Sequence, residues 1–272
     1  MGSLTNYGEQ AFVNHLCGTA FTPPATVYLA LATADPGEAA TGASMSEVAN
    51  SGSYARVAIT FGAAASRRVT QNAAVNFAQL TGSLGTATHW ALVDNATHGA
   101  GNVLASGAFG TGKSLVSGNS PSVASGEIYV EISASGGGAG FTNTLVHNLL
   151  NLMFRNVAYS QPATYLGATT TTSSDSAAGT EVSGGSYARV LVNKAGGSSP
   201  AWATVSGGAT SLANAVSLPV ATASWGTLVS SAIYDAASAG NMLVYDNNTA
   251  DQAVATADTW QWAAGEWDLS LS

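Results

Sequence analysis

Charge is what this sequence has least of. Asp, Glu, Lys and Arg make up only 8% of its 272 residues, about a third of the share in an ordinary soluble domain. Seven residues are Lys or Arg against 15 Asp or Glu, for a net charge of −8. With no basic cluster to displace counterions from phosphates, nucleic acid is excluded as a partner. Cys17 is the single cysteine, which excludes an intrachain disulfide and a thiolate cluster and fits synthesis in a reducing compartment. Apolar runs break off before the roughly 18 residues of a spanning helix, so no membrane segment is expected. Met1-Gly2-Ser3-Leu4 runs straight into a polar stretch, so no secretory signal is expected either. Low charge beside abundant Gly, Ala, Ser and Thr differs from the disorder profile of high net charge and few apolar residues. It suits a β-rich protein with small-residue turns, held in an assembly or outside the cell.

What the sequence does have is repetition. Ser53-Tyr54-Ala55-Arg56-Val57 returns letter for letter as Ser186-Tyr187-Ala188-Arg189-Val190. Around it, further blocks recur in the same order. Leu4-Thr5-Asn6 answers to Phe141-Thr142-Asn143, Tyr28-Leu29 to Tyr165-Leu166, and Glu47-Val48 to Glu181-Val182. Ala91-Leu92-Val93-Asp94 pairs with Ala232-Ile233-Tyr234-Asp235, and Gly101-Asn102 with Gly240-Asn241. The halves close on Gly126-Glu127 and Gly265-Glu266. Blocks in one order over nearly the whole length mean one module written twice. The spacing drifts: Asn6 and Asn143 lie 137 residues apart, Tyr54 and Tyr187 133, Val75 and Val216 141. The second copy therefore has a shorter loop before its Tyr-Ala-Arg block and a longer one over 194–210, as expected when loops vary around a kept scaffold.

Each half opens on a helical pattern. Asn6 with Glu9 fits a capping box, and Phe12 and Leu16 share a face; Asn143 precedes Leu145, Leu149 and Leu152. The other blocks alternate as strands. Val27, Leu29 and Leu31 interleave with Tyr28 and Ala30; Val57, Ile59 and Phe61 interleave with Arg56, Ala58 and Thr60. Ile128, Val130 and Ile132 oppose Glu127, Tyr129 and Glu131; Trp267, Leu269 and Leu271 oppose Glu266, Asp268 and Ser270. Such alternation predicts a sheet with one buried and one wet face. The expected fold class is all-β with one short helix at the start of each half, forming two tandem β-sandwich or jelly-roll domains. These span 1–134 and 141–272, joined by a Gly-rich linker at 135–140.

No residue set stands out as catalytic, cofactor-binding or metal-ligating. His15, His89, His98 and His147 lack metal-ligand spacing. No Gly-x-Ser-x-Gly sits where a strand passes into a helix. Gly110-Thr111-Gly112-Lys113-Ser114 looks like part of a phosphate loop, but it is read as lacking the first glycine at the required spacing, with Ser106 before Gly107, and no helix follows it, so an ordinary loop is expected. Asp94 and Asp235, like Glu127 and Glu266, recur at matched positions, which favours structural work such as an Asx-turn at a strand end. Arg56 and Arg189, beside Tyr54 and Tyr187, are expected to tie a loop or an interface. Five tryptophans, Trp202, Trp225, Trp260, Trp262 and Trp267, lie in the second half against Trp90 in the first. They could stack on sugars, but packing and assembly contacts are the preferred reading, with Trp267 in the core.

The block order resembles a family of tailed-bacteriophage virion proteins labelled tail-fibre proteins. The resemblance rests on Leu4 to Tyr7, Tyr28 to Leu31 with Asp35-Pro36, Glu181 to Arg189, Trp225 to Thr227, Ile233 to Ala236 and Ala264 to Glu266. The first copy has Leu84 where the second has Trp225, and the second lacks Asp-Pro. The resemblance implies a non-enzymatic virion component without cofactors. The sequence has none of the Gly-X-Y, heptad or β-helical repeats of a fibre shaft. The expectation is therefore a capsid cement or decoration protein. Its partners would be the major capsid protein and neighbouring copies of itself, and its fused copies would mimic a homodimer bridging capsomers. The alternative is a tail-associated fibre or receptor-binding protein that contacts tail proteins and recognises host glycan.

Overall fold

The computed structural model describes residues 2–134 and 138–271, apart from the side chains of 248–250. The first half runs β1 (Gly2–Leu4), α1 (Asn6–Cys17), β2 (Val27–Ala32), β3 (Val57–Ile59), β4 (Arg68–Thr70), β5 (Val75–Asn76), β6 (Gly85–Val93), β7 (Val103–Leu115), β8 (Ser122–Val123) and β9 (Tyr129–Glu131). The second repeats it element for element: β10 (Ala139–Phe141), α2 (Asn143–Arg155), β11 (Tyr165–Thr169), β12 (Val190–Leu191), β13 (Ala209–Ser211), β14 (Val216–Ser217), β15 (Gly226–Tyr234), β16 (Met242–Val254), β17 (Gln261–Trp262) and β18 (Asp268–Ser270). The chain is thus mostly β, with one short helix near the start of each half. Of the Gly-rich stretch, Ser135-Gly136-Gly137 lie outside the described residues. Ala139 and Gly140 sit in β10, paired with Asp246 and Tyr245 of β16.

In the first half the strands form one sheet in the order β3-β2-β6-β7-β1-β9-β4, which curls as a half-barrel. A short β5–β8 ladder accompanies it. The second half keeps the same pairings as β12-β11-β15-β16-β10, with β13–β18 and β14–β17 as separate ladders. The difference lies at one link. In the first half β1 joins β9 in parallel through the pair Gly2 and Val130, and no such pair joins β10 to β18 among the described residues.

One row of residues across the sheet shows how each core is filled. Gly2, Gly107, Trp90 and Leu31 stand side by side on β1, β7, β6 and β2. The matching row is Ala139, Asp246, Ser231 and Ala168. Trp90 is 1% exposed, and a Cβ on Gly2 would come within 2.1 Å of its ring. The indole thus requires glycine on the neighbouring strand. In the second half the indole comes from the closing strand region instead: Trp267, where the first copy has Ile128, is buried and donates through Nε1 to Ser231 Oγ at 2.9 Å. With Ser231 small, Ala139 can carry its Cβ. Volume is kept while the element supplying it changes, the kind of exchange cores tolerate best.

The expected alternation is present on β9 and β18, where Val130 and Leu269 are buried between less buried neighbours. It fails on β2, where Leu29, Ala30, Leu31 and Ala32 are all buried. The wet face of that strand is covered by the following loop, whose Ala40 and Met45 pack with Ala30, Ala91, Val93 and Val103. The second half has the shorter loop there, and larger rings fill the space: Tyr234, Tyr245 and Tyr165 pack with Ala232 and Met242. The longer 194–210 segment is likewise no idle loop, since Ala201, Trp202 and Val205 are buried.

The helix cap lies one residue earlier than the capping box places it. Glu9 N bonds to Thr5 O, so Thr5 is the N-cap residue. Its hydroxyl accepts from Gly8 N at 3.4 Å and donates to Val103 O. Thr142 does the same for α2, accepting from Leu145 N at 3.3 Å and donating to Met242 O at 3.0 Å. Thr wins over Asn because its hydroxyl can serve the helix and an adjoining strand together. The helices fall across two compact units. One comprises Met1–Glu9, Thr22–Ile132 and His147–Tyr159; the other comprises Gln10–Phe21, Ser133–Val146 and Ser160–Ser272.

Candidate functional site

The repeated Tyr-Ala-Arg block builds a buried clamp. In the first unit Gly52 and Ser53 turn the chain with φ of +56° and +65°, and Ser53 Oγ pairs with Thr81 Oγ1 at 3.1 Å. The turn delivers Tyr54 and Arg56 inward rather than onto a polar strand face: the Arg56 side chain is 0% exposed and that of Glu47 2%. Arg56 holds Glu47 bidentately, Nε to Oε1 at 2.8 Å and Nη2 to Oε2 at 2.7 Å. Its Nη1 donates to the carbonyls of Asn95 and Ala100 at 2.7 and 2.8 Å. Tyr54 accepts from Leu31 N at 2.9 Å and donates to Glu47 Oε1 at 3.1 Å. Burial, and then the charge of Glu47, push the Tyr54 phenol well above its ordinary range, so it stays a neutral donor.

The clamp's target is the loop between β6 and β7. There Asp94 reaches across instead of closing a local Asx-turn: Oδ1 accepts from Asn102 N at 2.7 Å and Oδ2 from Asn102 Nδ2 at 2.8 Å. Gly101, at φ +82°, is required because a Cβ would lie 2.3 Å from Asp94 Oδ1. Glu47, Tyr54, Arg56, Asp94, Gly101 and Asn102 thus form one device, and this explains why these scattered blocks recur together.

The second unit repeats it. Arg189 binds Glu181 through Nε at 2.6 Å and Nη2 at 2.7 Å, and through Nη1 holds the carbonyls of Ala236 and Ala239, both at 2.7 Å. Tyr187 accepts from Ala168 N at 2.9 Å and donates to Glu181 Oε1 at 3.0 Å. Asp235 grips Asn241 at 2.7 and 2.8 Å. Here the guanidinium also stacks on Tyr234, its carbon 3.5 Å from the ring centroid, where the first copy has Val93. Burial works against the charge of Arg189, but Glu181 and the two phenols outweigh it and hold the guanidinium above its ordinary range. Burial, then Glu181, raises the Tyr234 phenol to about 12. Glu181 is 29% exposed against 2% for Glu47, so the second clamp is the wetter one.

Chemically, each clamp uses up its groups. The carboxylate binds its guanidinium at both oxygens, the guanidinium spends Nε, Nη1 and Nη2, and the phenol is both donor and acceptor. Such an arrangement ties a hairpin loop to the sheet, as the sequence suggested for Arg56 and Arg189.

The remaining candidates are dispersed. Glu127 accepts from Ala124 N at 3.1 Å and meets Lys113 Nζ at 2.6 Å; Glu266 accepts from Ala263 N at 2.5 Å. Both close tight turns at matching glycines, Gly126 and Gly265, with φ of +80° and +76°. His15 Nδ1 accepts from Phe21 N, His89 Nδ1 pairs with Thr88 Oγ1, His98 Nε2 with Val48 O, and His147 Nε2 accepts from Arg67 N. Among the described residues no group of three His, Cys, Asp or Glu is placed to hold a metal. Gly107 completes the full phosphate-loop spacing with Gly112-Lys113-Ser114, yet the stretch lies within strand β7, not in a loop, with Gly107 opposite Trp90 and Lys113 opposite Ala87. A strand whose amides pair with β6 cannot wrap a phosphate. Trp90, Trp202, Trp225, Trp262 and Trp267 are all buried, and Trp260 packs edge-on to Trp262 at 6.0 Å. Buried indoles serve packing, not sugar stacking. The device that sequence reasoning missed is the Asp94–Asn102 bond across the loop. Its signal was present in the joint recurrence of Asp94, Gly101 and Asn102.

Among the described residues no helix is long and apolar enough to cross a membrane. A protein-family model described as Podophage GP4 fiber I protein gp80 matches residues 3–131 and, a second time, residues 140–270. No curated protein matches the chain.

Proposed function

Given that the chain belongs to the podophage GP4 fiber I protein gp80 family and carries two copies of its module, we propose that it is a non-enzymatic building block of a fibre at the phage tail. The observation that carries this reading is the family match over both halves. The clamps fit it, since their charged groups are spent on holding loops to the sheet. Its partners on this reading are neighbouring tail proteins. The buried indoles give no support to recognition of host glycan by ring stacking, so the proposal rests on structure and assembly. The shell-bridging role expected from the absence of shaft repeats has no comparable support: a fibre can be assembled from compact modules as well as from a continuous shaft.

Location and copy number test the proposal. An electron cryo-microscopy reconstruction of the particle should place this chain's density at the tail, at a few dozen copies or fewer. Density on the capsid shell at hundreds of copies would overturn it.

A further inference from the structure

Each compact unit is completed by helical residues from the other sequence repeat. The second unit includes residues 10–21, and of these Phe12, Val13, Leu16 and Cys17 are buried. The carbonyls at the end of a helix lack partners within it, and here residues of the second repeat supply them. Gln161 Nε2 donates to Gly18 O at 2.7 Å, and at 3.3 Å adds a second bond to Asn14 O, which already accepts from Gly18 N. Ala195 N donates to Cys17 O at 2.8 Å. Lys194 Nζ donates to Leu16 O and to Pro162 O, placing its charge at the negative end of the helix dipole.

The first unit includes residues 147–159, with Leu149, Leu150, Leu152, Met153 and Phe154 buried. Phe154 packs on Phe61 with ring centroids 5.5 Å apart. Asn151 Oδ1 accepts from Ala64 N at 3.0 Å, His147 Nε2 accepts from Arg67 N at 3.0 Å, and Arg155 Nε donates to Phe61 O at 3.2 Å. The two grips use different chemistry. One is a lysine, a glutamine and the Ala195 amide reaching for carbonyls at the helix end; the other is backbone amides and a carbonyl meeting polar helix side chains. Each slot is therefore matched to the helix that it receives from the other repeat.

We propose that the two repeats form a helix-exchanged pair within one chain, each repeat offering an apolar slot whose occupant is the helix of the other. Neither repeat completes its own core, so a chain cut between them holds together as one particle.

The test replaces Ser135-Gly136-Gly137 with a protease site in the full chain and adds Ala195→Cys beside the natural Cys17. A second variant combines Cys17→Ser, Ala64→Cys and Asn151→Cys. After mild oxidation and cutting, denaturing non-reducing electrophoresis should show both fragments in one band of intact mass for at least one variant. The cut, unoxidised chain should elute at the intact position. Absence of a joined band from both variants overturns the proposal however the cut chain elutes. So does a band of twice the mass before cutting, which would place the exchange between chains. Should cutting alone cause aggregation, the band still decides.

Discussion

Replacing Arg56 by methionine probes the clamp most directly. The substitution keeps most of the side-chain stem but removes the guanidinium, and three groups lose their partner. Glu47, whose side chain is 2% exposed, is left as a buried charge, and the carbonyls of Asn95 and Ala100 lose bonds of 2.7 and 2.8 Å. Removing one member of a buried pair costs about 3–5 kcal/mol, mostly because the other charge remains without water or a counter-charge. For a chain of this size each kcal/mol lowers the midpoint by about 2–4 °C, so Arg56→Met should melt roughly 6–20 °C lower. Arg189→Met should cost less, about 1–3 kcal/mol, because Glu181 is 29% exposed and can be rehydrated. Adding Glu47→Gln to Arg56→Met should recover part of the loss by removing the stranded charge. Urea unfolding followed by tryptophan fluorescence measures all four proteins. A loss below about 1 kcal/mol for Arg56→Met, or equal losses in the two copies, would refute the reasoning from burial.

Two further outcomes are expected. Gly101→Ala should cost about 1–3 kcal/mol more than Gly99→Ala in the same loop; both have positive φ, but only at Gly101 does a Cβ lie 2.3 Å from Asp94 Oδ1, and equal midpoints in urea would contradict this. Burial, then the neighbouring charge of Glu38, raises the Glu9 carboxyl to about 7 from an ordinary 4.5. Between these values the folded state keeps a proton that the unfolded chain has released, so the Glu9 contribution is whole below about pH 4.5 and fades as pH rises through 7. Urea midpoints should therefore fall less between pH 5 and pH 8 in Glu9→Gln than in the unaltered chain; identical slopes would show that Glu9 is not shifted.

Legibility in the sequence followed the range of the physics. Strand alternation on β9 and β18 needs only a sheet with one buried face, so Val130 and Leu269 could be placed from sequence. The same rule misread β2, because what covers Ala30 is the folding back of the following loop, whose Ala40 and Met45 pack on it, and strand periodicity does not report that. The N-cap was misplaced by one residue for a related reason. Asn6 and Glu9 satisfy a local pattern, whereas the choice of Thr5 depends on the carbonyl of Val103, nearly a hundred residues away. The string ending in Gly112-Lys113-Ser114 shows the converse: its motif is complete, but pairing with β6 makes it a strand.

The sequence by itself determined that this protein is one module written twice, β-rich with a short helix in each copy, and that Glu47, Tyr54, Arg56, Asp94, Gly101 and Asn102 recur as a group. Recurrence and periodicity are properties of order along the chain, so they survive without coordinates. Only the tertiary structure decided that those six residues are a single clamp, that Trp90 and Trp267 supply their cores from different elements, and which repeat's residues receive each helix. An apolar helix face specifies that it must be buried but not against what; the choice is made by bonds such as Gln161 to Gly18 and Ala64 to Asn151, between groups that nothing in the local sequence brings together.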